Sequence, residues 1–329
     1  MKLAGKHVLL TGGTGFIGSH LAELLVRGGC CVRVLANYKS QPSRGNLDFI
    51  EPSLRDEIEV VWGDVCDRDS VMNAMDGVSV VFHLSALIGI PYSYIAPSSY
   101  VQTNIVGTLN VLQACRSLDV ERMVHTSTSE TFGSAQYTPM DEKHPLVGQS
   151  PYSATKLGAD KLAESFARSF EMPIVTVRPF NVFGPRQSDR AIIPTIIAQR
   201  IAGEDSVRIG DPTPRRDFTF VTDTARGFIA AAQCDGAIGQ TFNIGNGKSI
   251  SIGELATTIC DLTGGGSYVS ELQRIRPEKS EVSELRCDNT LAKKVLNWSP
   301  EVSLTEGLAE TIEFMRQHVE LFTPEEYRV

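Results

Sequence analysis

Short apolar runs alternate with longer amphipathic stretches through the first half of the chain. Runs of strand length fall near 7–11, 31–36, 58–62, 79–84, 121–127 and 174–178. Between them, apolar positions that recur every three or four residues predict helices near 15–28, 67–76, 98–117 and 150–171. Strands of this kind separated by amphipathic helices predict a parallel sheet covered on both faces, a Rossmann-type doubly wound α/β fold. The stretch from Lys39 to Asp56 is polar, with Pro, Gly and Ser, and predicts a long loop. Beyond residue 178 the alternation loosens. Pro179, Pro185, Pro194, Pro212 and Pro214, with Gly184, Gly203 and Gly210, punctuate a segment that predicts a smaller, loop-rich C-terminal domain. No internal repeat or low-complexity tract is visible.

Composition narrows the class. At 329 residues and 42% hydrophobic, the chain can bury a large core, in one large or two modest domains. A net charge of −8 argues against nucleic acid or an anionic membrane as partner. No apolar run approaches the roughly 20 residues of a membrane span; the longest candidate, Val78 to Ile90, is short and carries His83 and Ser85. The first strand and a glycine loop begin almost at once, so nothing at the N-terminus resembles a signal peptide and none is expected. Seven cysteines, scattered and without paired C-x-x-C units, predict neither a disulfide framework nor a zinc site. Cys30 and Cys31 are expected on a buried strand. A reduced, cytoplasmic protein without a metal is the expectation.

The chemistry concentrates at two junctions. His7-Val8-Leu9-Leu10 leads into Thr11-Gly12-Gly13-Thr14-Gly15-Phe16-Ile17-Gly18, and a helical pattern follows. Gly12 and Gly15 let a backbone turn tightly and approach a pyrophosphate, and Gly18 lets helix and strand pack closely. The phosphates would then meet the free N–H groups and positive end of the helix. The second junction pairs Thr126-Ser127-Thr128-Ser129-Glu130 with Ser150-Pro151-Tyr152-Ser153-Ala154-Thr155-Lys156. Tyr152 and Lys156 are four apart and share a helical face. Ser150 suits the N-cap and Pro151 the first helical position. An ammonium and a helix N-terminus both favour the phenolate, which makes Tyr152 a candidate general base. Thr128 and Ser127 are placed to share the substrate hydroxyl whose proton Tyr152 takes, and Glu130 adds a second base. A Tyr and a Lys at this spacing are common on helices and carry little weight alone; the glycine loop upstream gives them weight.

These pieces, with Gly63-Asp64-Val65, Phe82-His83-Leu84-Ser85-Ala86, Asn104-Ile105-Val106-Gly107-Thr108, Arg178-Pro179-Phe180-Asn181, Gly184-Pro185-Arg186, Arg216-Asp217-Phe218 and Arg276-Pro277, resemble an extended short-chain dehydrogenase/reductase of the nucleotide-sugar epimerase/dehydratase family. The resemblance runs from about Lys6 to about Leu308. It implies a nucleotide-binding domain over 1–178 plus about 221–247, and a nucleotide-sugar-binding domain over 179–220 and 248–329. It also implies a cofactor held by Gly12, Gly15, Phe16, Ile17, Gly18, Asn37, Asp64, Val65, Leu84, Ser85, Ala86, Asn104, Tyr152 and Lys156. Substrate contacts are implied at Asn181, Arg186, Arg216 and Arg276, arginine being suited to bidentate phosphate binding. The catalytic set implied is Thr128, Ser129, Glu130, Tyr152 and Lys156, and the helices near 98–117 and 150–171 are implied to pair as a homodimer.

The family implies oxidation at C4 of a nucleotide-linked sugar, and Glu130 bears on the fate of the oxidised sugar. A base near C5 can drive loss of water from C6 and give a 4-keto-6-deoxy sugar. Many 4,6-dehydratases have Asp before this Glu; here Ser129 stands in its place, which leaves Glu130 to take the C5 proton and hand it to the C6 oxygen. Narrower segments, including Asp141 to Leu146 and Arg276 to Val282, look like N-acetylglucosamine-nucleotide 4,6-dehydratases of legionaminic-acid-type pathways. UDP-N-acetylglucosamine is therefore the expected substrate, with a GDP sugar still open. UDP-glucuronate decarboxylase and UDP-sugar 4-epimerase are the alternatives, and a cofactor-binding sensor without turnover is a third class. The second strand ends in Val34-Leu35-Ala36-Asn37 without the acid that usually binds the ribose of NAD. NAD is expected from the family. NADP stays open, because Lys39, Ser40 or Arg44 is placed to meet a 2′-phosphate.

Overall fold

The computed structural model describes residues 1–38, 43–271, 274 and 282–322. Each expected apolar run forms a strand: β1 (His7–Thr11), β2 (Cys31–Ala36), β3 (Glu59–Trp62), β4 (Val80–His83), β5 (Arg122–Thr126) and β6 (Ile174–Pro179). A seventh, β7 (Thr241–Ile244), joins from far along the chain. All pair in parallel, in the order β7-β6-β5-β4-β1-β2-β3. The order reverses between β1 and β4, and sheets of this kind bind ligands in the crevice at that reversal.

Alternation along each strand decides which layer it feeds. Val8, Leu10, Val80, Phe82 and Val124 join one core with Leu21 and Leu25 of α1 (Phe16–Arg27). Phe228 and Ala231 from the helix Val221–Gln233 complete it. Leu9, Val81 and Met123 join the other core, with Val71 of α2 (Arg68–Ala74) and with Val111 and Leu112 of α3 (Gly107–Ser117). Ala163 of α4 (Pro151–Ser169) belongs to that second core. The helix Val221–Gln233 and β7 thus return the chain to the sheet after an excursion.

The structure departs from the sequence pattern at three places. The helix expected near 98–117 is broken: a turn Pro97–Tyr100 leads into a wide π-type turn, Val101–Val106, before α3 starts. Asn104 sits in that wide turn, where its side chain accepts from the Leu87 N–H (2.9 Å) and donates to the Leu87 carbonyl (3.0 Å) and Thr155 Oγ1 (3.1 Å). Hydrophobic periodicity does not register such a bulge, which recurs at functional sites. Of the long loop expected from Lys39 to Asp56, residues 39–42 lie outside the described residues. The rest holds a short 3₁₀ turn, Gly45–Phe49, and a helical turn, Pro52–Arg55. This segment is ordered because Leu47 is fully buried and the Asn46 N–H donates to the Thr14 carbonyl at 2.9 Å. Cys30 is buried as expected, but Cys31, at the start of β2, is exposed.

The segments between β6 and the end of the described chain build a further apolar core. Helices Ile192–Ile201, Ile252–Leu262 and Leu304–Gln317 contribute Ile196, Ile197, Leu255, Ile259, Leu308 and Ile312, packed with Phe183, Phe218 and Phe220. Ser251 and Ser303 start two of these helices with reciprocal capping to Glu254 and Glu306. Asp217 ties this region to the exit of β7. Its buried carboxylate accepts the N–H groups of Asn246 (2.8 Å), Gly247 (2.8 Å) and Cys287 (3.0 Å). Burial pushes this carboxyl up, to about 6, against those three hydrogen bonds.

Candidate active site

A cleft of about 590 Å³ opens over the carboxyl ends of β1, β4, β5 and β6. The glycine loop forms one wall. Gly12 has φ +73, and a Cβ there would lie 2.8 Å from the backbone of Leu84 and Ser85. At Gly18 a Cβ would lie 2.2 Å from the Gly12 carbonyl oxygen, so α1 and the loop meet only through glycine. Gly15 differs, since its nearest neighbour would be the Gly12 oxygen at 3.2 Å. α1 begins at this loop with no side-chain cap and no acid in its first turn. Its free N–H groups and dipole therefore favour an anion. Phe16, Ile17, Asn37, Asp64, Val65, Leu84, Ser85 and Ala86 line the cleft with the three glycines. Asn104 does not. It stands behind the wall and holds the backbone of Leu87, which does line the cleft.

The opposite wall carries the titratable groups. Ser150 caps α4 by accepting from the Ser153 N–H at 3.1 Å, while Ser153 Oγ accepts from the Ser150 N–H at 2.9 Å. Pro151 opens the helix, so Tyr152 falls in its first turn. Tyr152 is 7% exposed, hydrogen-bonds the Thr128 side chain, and meets the Tyr100 ring edge-on with centroids 6.3 Å apart. Lys156 Nζ donates to the Thr126 carbonyl at 2.5 Å. Burial lowers Lys156 to about 8, with Asp160 opposing. The lowered phenol pKa expected from the sequence is not found in the protein alone. Burial raises Tyr152; the Thr128 hydrogen bond opposes it, and the charges of Glu130 and Asp160 reinforce the rise.

The strand end also differs in detail from the sequence expectation. Ser127 Oγ donates to Asp160 Oδ2 at 2.5 Å and accepts from Arg178 Nε at 3.2 Å, so this cleft-lining residue has its hydroxyl engaged within the fold. Thr128 caps the turn Ser129–Phe132, its Oγ1 accepting from the Glu130 N–H at 3.3 Å. Ser129 is buried and Glu130 half-buried, and both line the cleft beside Thr128 and Tyr152.

The expected substrate residues divide. Asn181 lines the cleft and donates to the Asp217 carbonyl at 3.4 Å. Arg186 has its guanidinium turned to α1, where it pairs with Glu23 at 2.9 Å. Its backbone sits at φ +70, its carbonyl accepts from Asn46 Nδ2 at 3.0 Å, and it is not among the cleft-lining residues. Arg216 donates to the carbonyls of Arg215 (3.0 Å) and Val282 (2.6 Å) and also lies outside the lining. Arg276 lies outside the described residues. Sequence reasoning missed Gln187, which lines the cleft with its Nε2 bonded to the Val182 carbonyl (2.9 Å) and its Oε1 without a partner among the described residues. No pattern marks it beyond adjacency to Gly184-Pro185-Arg186. Asp160 was also missed, although its place four residues after Lys156 is a legible signal.

Comparison with known proteins places this geometry. The family model described as GDP-mannose 4,6 dehydratase matches residues 9–311. The chain is 33% identical to a UDP-glucose 4-epimerase of Mycolicibacterium smegmatis, covering 94% of this chain and 98% of that one. It is 31% identical to a dTDP-glucose 4,6-dehydratase of an Actinoplanes species (94% and 97%). It is also 31% identical to a UDP-N-acetyl-alpha-D-glucosaminuronate decarboxylase of Bacillus cytotoxicus (95% and 98%). Among solved structures, MoeE5 in complex with UDP-glucuronic acid and NAD superposes with a TM-score of 0.83 at 31% identity, over 95% of this chain and 99% of that one. The dTDP-glucose 4,6-dehydratase DesIV from Streptomyces venezuelae, with NAD bound, gives 0.84 at 27% identity, over 97% and 99%. The chain therefore belongs to the GDP-mannose 4,6 dehydratase family, NAD-dependent extended short-chain dehydrogenases/reductases that include dehydratases, decarboxylases and epimerases of nucleotide sugars.

Proposed function

We propose that the protein is a nucleotide-sugar 4,6-dehydratase acting on UDP-N-acetylglucosamine. The observation that carries this reading is Glu130, a carboxylate in the same cleft as Tyr152 and Thr128 and close enough for its charge to act on the phenol. Base chemistry at C4 needs one such group; elimination across C5 and C6 needs a second.

The residues present fit NAD. The open side of Gly15, the uncapped start of α1 and the glycine-only contacts at Gly12 and Gly18 form a cradle for a pyrophosphate, with Asn37 at the ribose end of the cleft. Bound NAD supplies a hydride acceptor at C4 and a source for its return at C6. Thr128 and Tyr152 orient the C4 hydroxyl, and Tyr152 takes its proton. Lys156 places an ammonium beneath the strand end, and its charge favours the phenolate once the pocket is filled. Glu130 then takes the C5 proton and delivers it to the departing C6 oxygen, with Ser129 beside it; C5 regains a proton as hydride returns to C6, which balances the proton Tyr152 took from the C4 hydroxyl. Asn181 and Gln187 face the substrate end of the cleft. The nucleotide-binding part is assigned to 1–178 plus about 221–247, and the nucleotide-sugar-binding part to 179–220 and 248–329. The homodimer through the α4 region belongs to the same reading, and sedimentation would return twice the 35.9 kDa chain mass.

One observation favours a second reading. The charge of Arg190 reaches the Tyr100 hydroxyl, and the Tyr100 ring packs on Tyr152. A cation so placed suits the carboxylate of a uronate, the substrate type of the decarboxylase alternative. Glu130→Gln separates the readings. A dehydratase lacking this base still oxidises C4, so reduced cofactor accumulates on adding UDP-N-acetylglucosamine and no 4-keto-6-deoxy product leaves. Normal product from the variant would remove Glu130 from the mechanism.

A further inference from the structure

Three successive residues at the end of β5 are held from a single helix. His125 Nε2 bonds Asp160 Oδ1 at 3.0 Å, the Thr126 carbonyl accepts from Lys156 Nζ at 2.5 Å, and Ser127 Oγ donates to Asp160 Oδ2 at 2.5 Å. Lys156 and Asp160 lie one turn apart on the same face of α4. Arg178 of β6 closes the cluster from the other side, donating to Ser127 Oγ at 3.2 Å and to Asp160 Oδ2 at 3.4 Å. Its guanidinium also lies over the Phe132 ring, 4.7 Å from the centroid. Thr128, the next residue along the strand, is the one that bonds Tyr152. The cluster is largely buried, with Asp160 7% exposed, Lys156 and Arg178 3% each, and His125 fully buried; Lys156 borders the cleft, and Asp160 and Arg178 border an adjoining cavity.

We infer that Asp160 is a positioning residue for the C4 chemistry, clamping the end of β5 so that Thr128 meets Tyr152 and supplying the buried negative charge that keeps Lys156 an ammonium. The inference rests on the roles proposed above for Tyr152 and Lys156.

The charge balance inside the cluster makes Asp160 matter. His83 of β4 and His125 of β5 lie within reach of the Lys156 charge; burial lowers both imidazoles, and at His125 the Asp160 hydrogen bond opposes that lowering. Lys156 and Arg178 are the cations, and Asp160 is the carboxylate bonded between strand and helix. Burial alone would raise the Asp160 carboxyl. The hydrogen bond and charge of His125, then the charges of Arg178 and Lys156, outweigh it and hold the group at about 2. Glu164 lies one turn further along α4 and, with Glu142, lines the adjoining cavity of about 260 Å³; burial and Asp160, not these two, set the Lys156 shift. Removing the Asp160 charge takes the ion-pair partner from buried Arg178 and the opposing charge from buried Lys156, a costly change in a low-dielectric interior.

Asp160→Asn tests this, because it keeps the shape and one acceptor oxygen but removes the charge. Lysine ε-carbon NMR of the holoenzyme follows the Lys156 ammonium directly. In the wild type it is expected to titrate near about 8, and in the variant at lower pH. The alkaline limb of kcat is expected to move with it, by about tenfold in rate above the limb for each unit of displacement. A rate reduced equally at all pH, with the Lys156 titration unmoved, would reduce Asp160 to a packing residue and overturn the inference. If the Asn variant does not fold, Asp160→Glu decides. It keeps the charge and alters the geometry, so kcat is expected to fall while the alkaline limb stays. A wild-type kcat would refute the clamp, and a displaced limb would refute the charge role. The NMR titration needs no turnover, so a wild type inactive on every nucleotide sugar would fail the proposed function without deciding this point.

Discussion

The two charge-rich regions of this protein use their charges differently. At the β5–α4 junction, Tyr152, Lys156 and Glu130 line a cleft, and the charges around them set proton affinities at a place a ligand can reach. In the arginine-bearing loops after β6, the guanidiniums mostly bind the protein to itself. Arg186 reaches Glu23, and Arg216 reaches the Val282 carbonyl. An arginine in a phosphate-binding family is therefore not by that fact a phosphate ligand. Its partners in the folded chain decide.

Substitutions in the two regions should separate accordingly. The largest effect is expected at Tyr152→Phe, with kcat lowered about 10²–10⁴-fold while the protein folds and retains cofactor, read by steady-state turnover and by the cofactor released on denaturation. Near-normal turnover would erase the distinction between the regions. Asp217→Ala should act oppositely. It leaves three buried N–H groups without an acceptor, costing on the order of 3 kcal/mol or more in denaturant unfolding.

The pH dependence sharpens that second case. Asp217 has its folded pKa raised to about 6, from 3.8. The stability contributed by its protonated form is present below about 4 and lost as pH rises through about 6. Asp217→Asn should flatten this part of the stability profile. Persistence of the slope in the variant would assign it to another group.

Smaller effects distinguish the glycines and the loop arginine. Gly18→Ala forces a Cβ to 2.2 Å from a backbone oxygen and should destabilise the fold along with cofactor binding. Gly15→Ala meets only one contact, at 3.2 Å, and should fold but bind NAD more weakly by calorimetry. Arg186→Ala should cost about 1–3 kcal/mol of stability through the loss of Glu23, and leave the KM for the nucleotide sugar unchanged. A raised KM at full stability would return Arg186 to the substrate site.

The same contrast explains what the sequence made legible. The glycine loop, the cap at Ser150 and the Tyr152–Lys156 spacing are local patterns, and local geometry turns each of them toward the cleft. The strands were readable because alternation such as Val8, Leu9, Leu10 feeds opposite cores. β7 was not readable from periodicity, because four residues far from the other strands carry no signal for joining them. The bulge at Val101–Val106 and the inward turn of Ser127 depend on partners distant in sequence, Leu87 in one case and Asp160 in the other. The Arg186–Glu23 pair spans 163 residues, and no local pattern encodes it.

The most direct test of the dehydratase assignment is the mass and isotope pattern of the product from UDP-N-acetylglucosamine deuterated at C4. The account predicts a nucleotide sugar lighter by one water, with the deuterium carried from C4 to C6. A product of unchanged mass inverted at C4, or no reaction with this sugar alongside carbon dioxide release from a UDP-uronate, would contradict it.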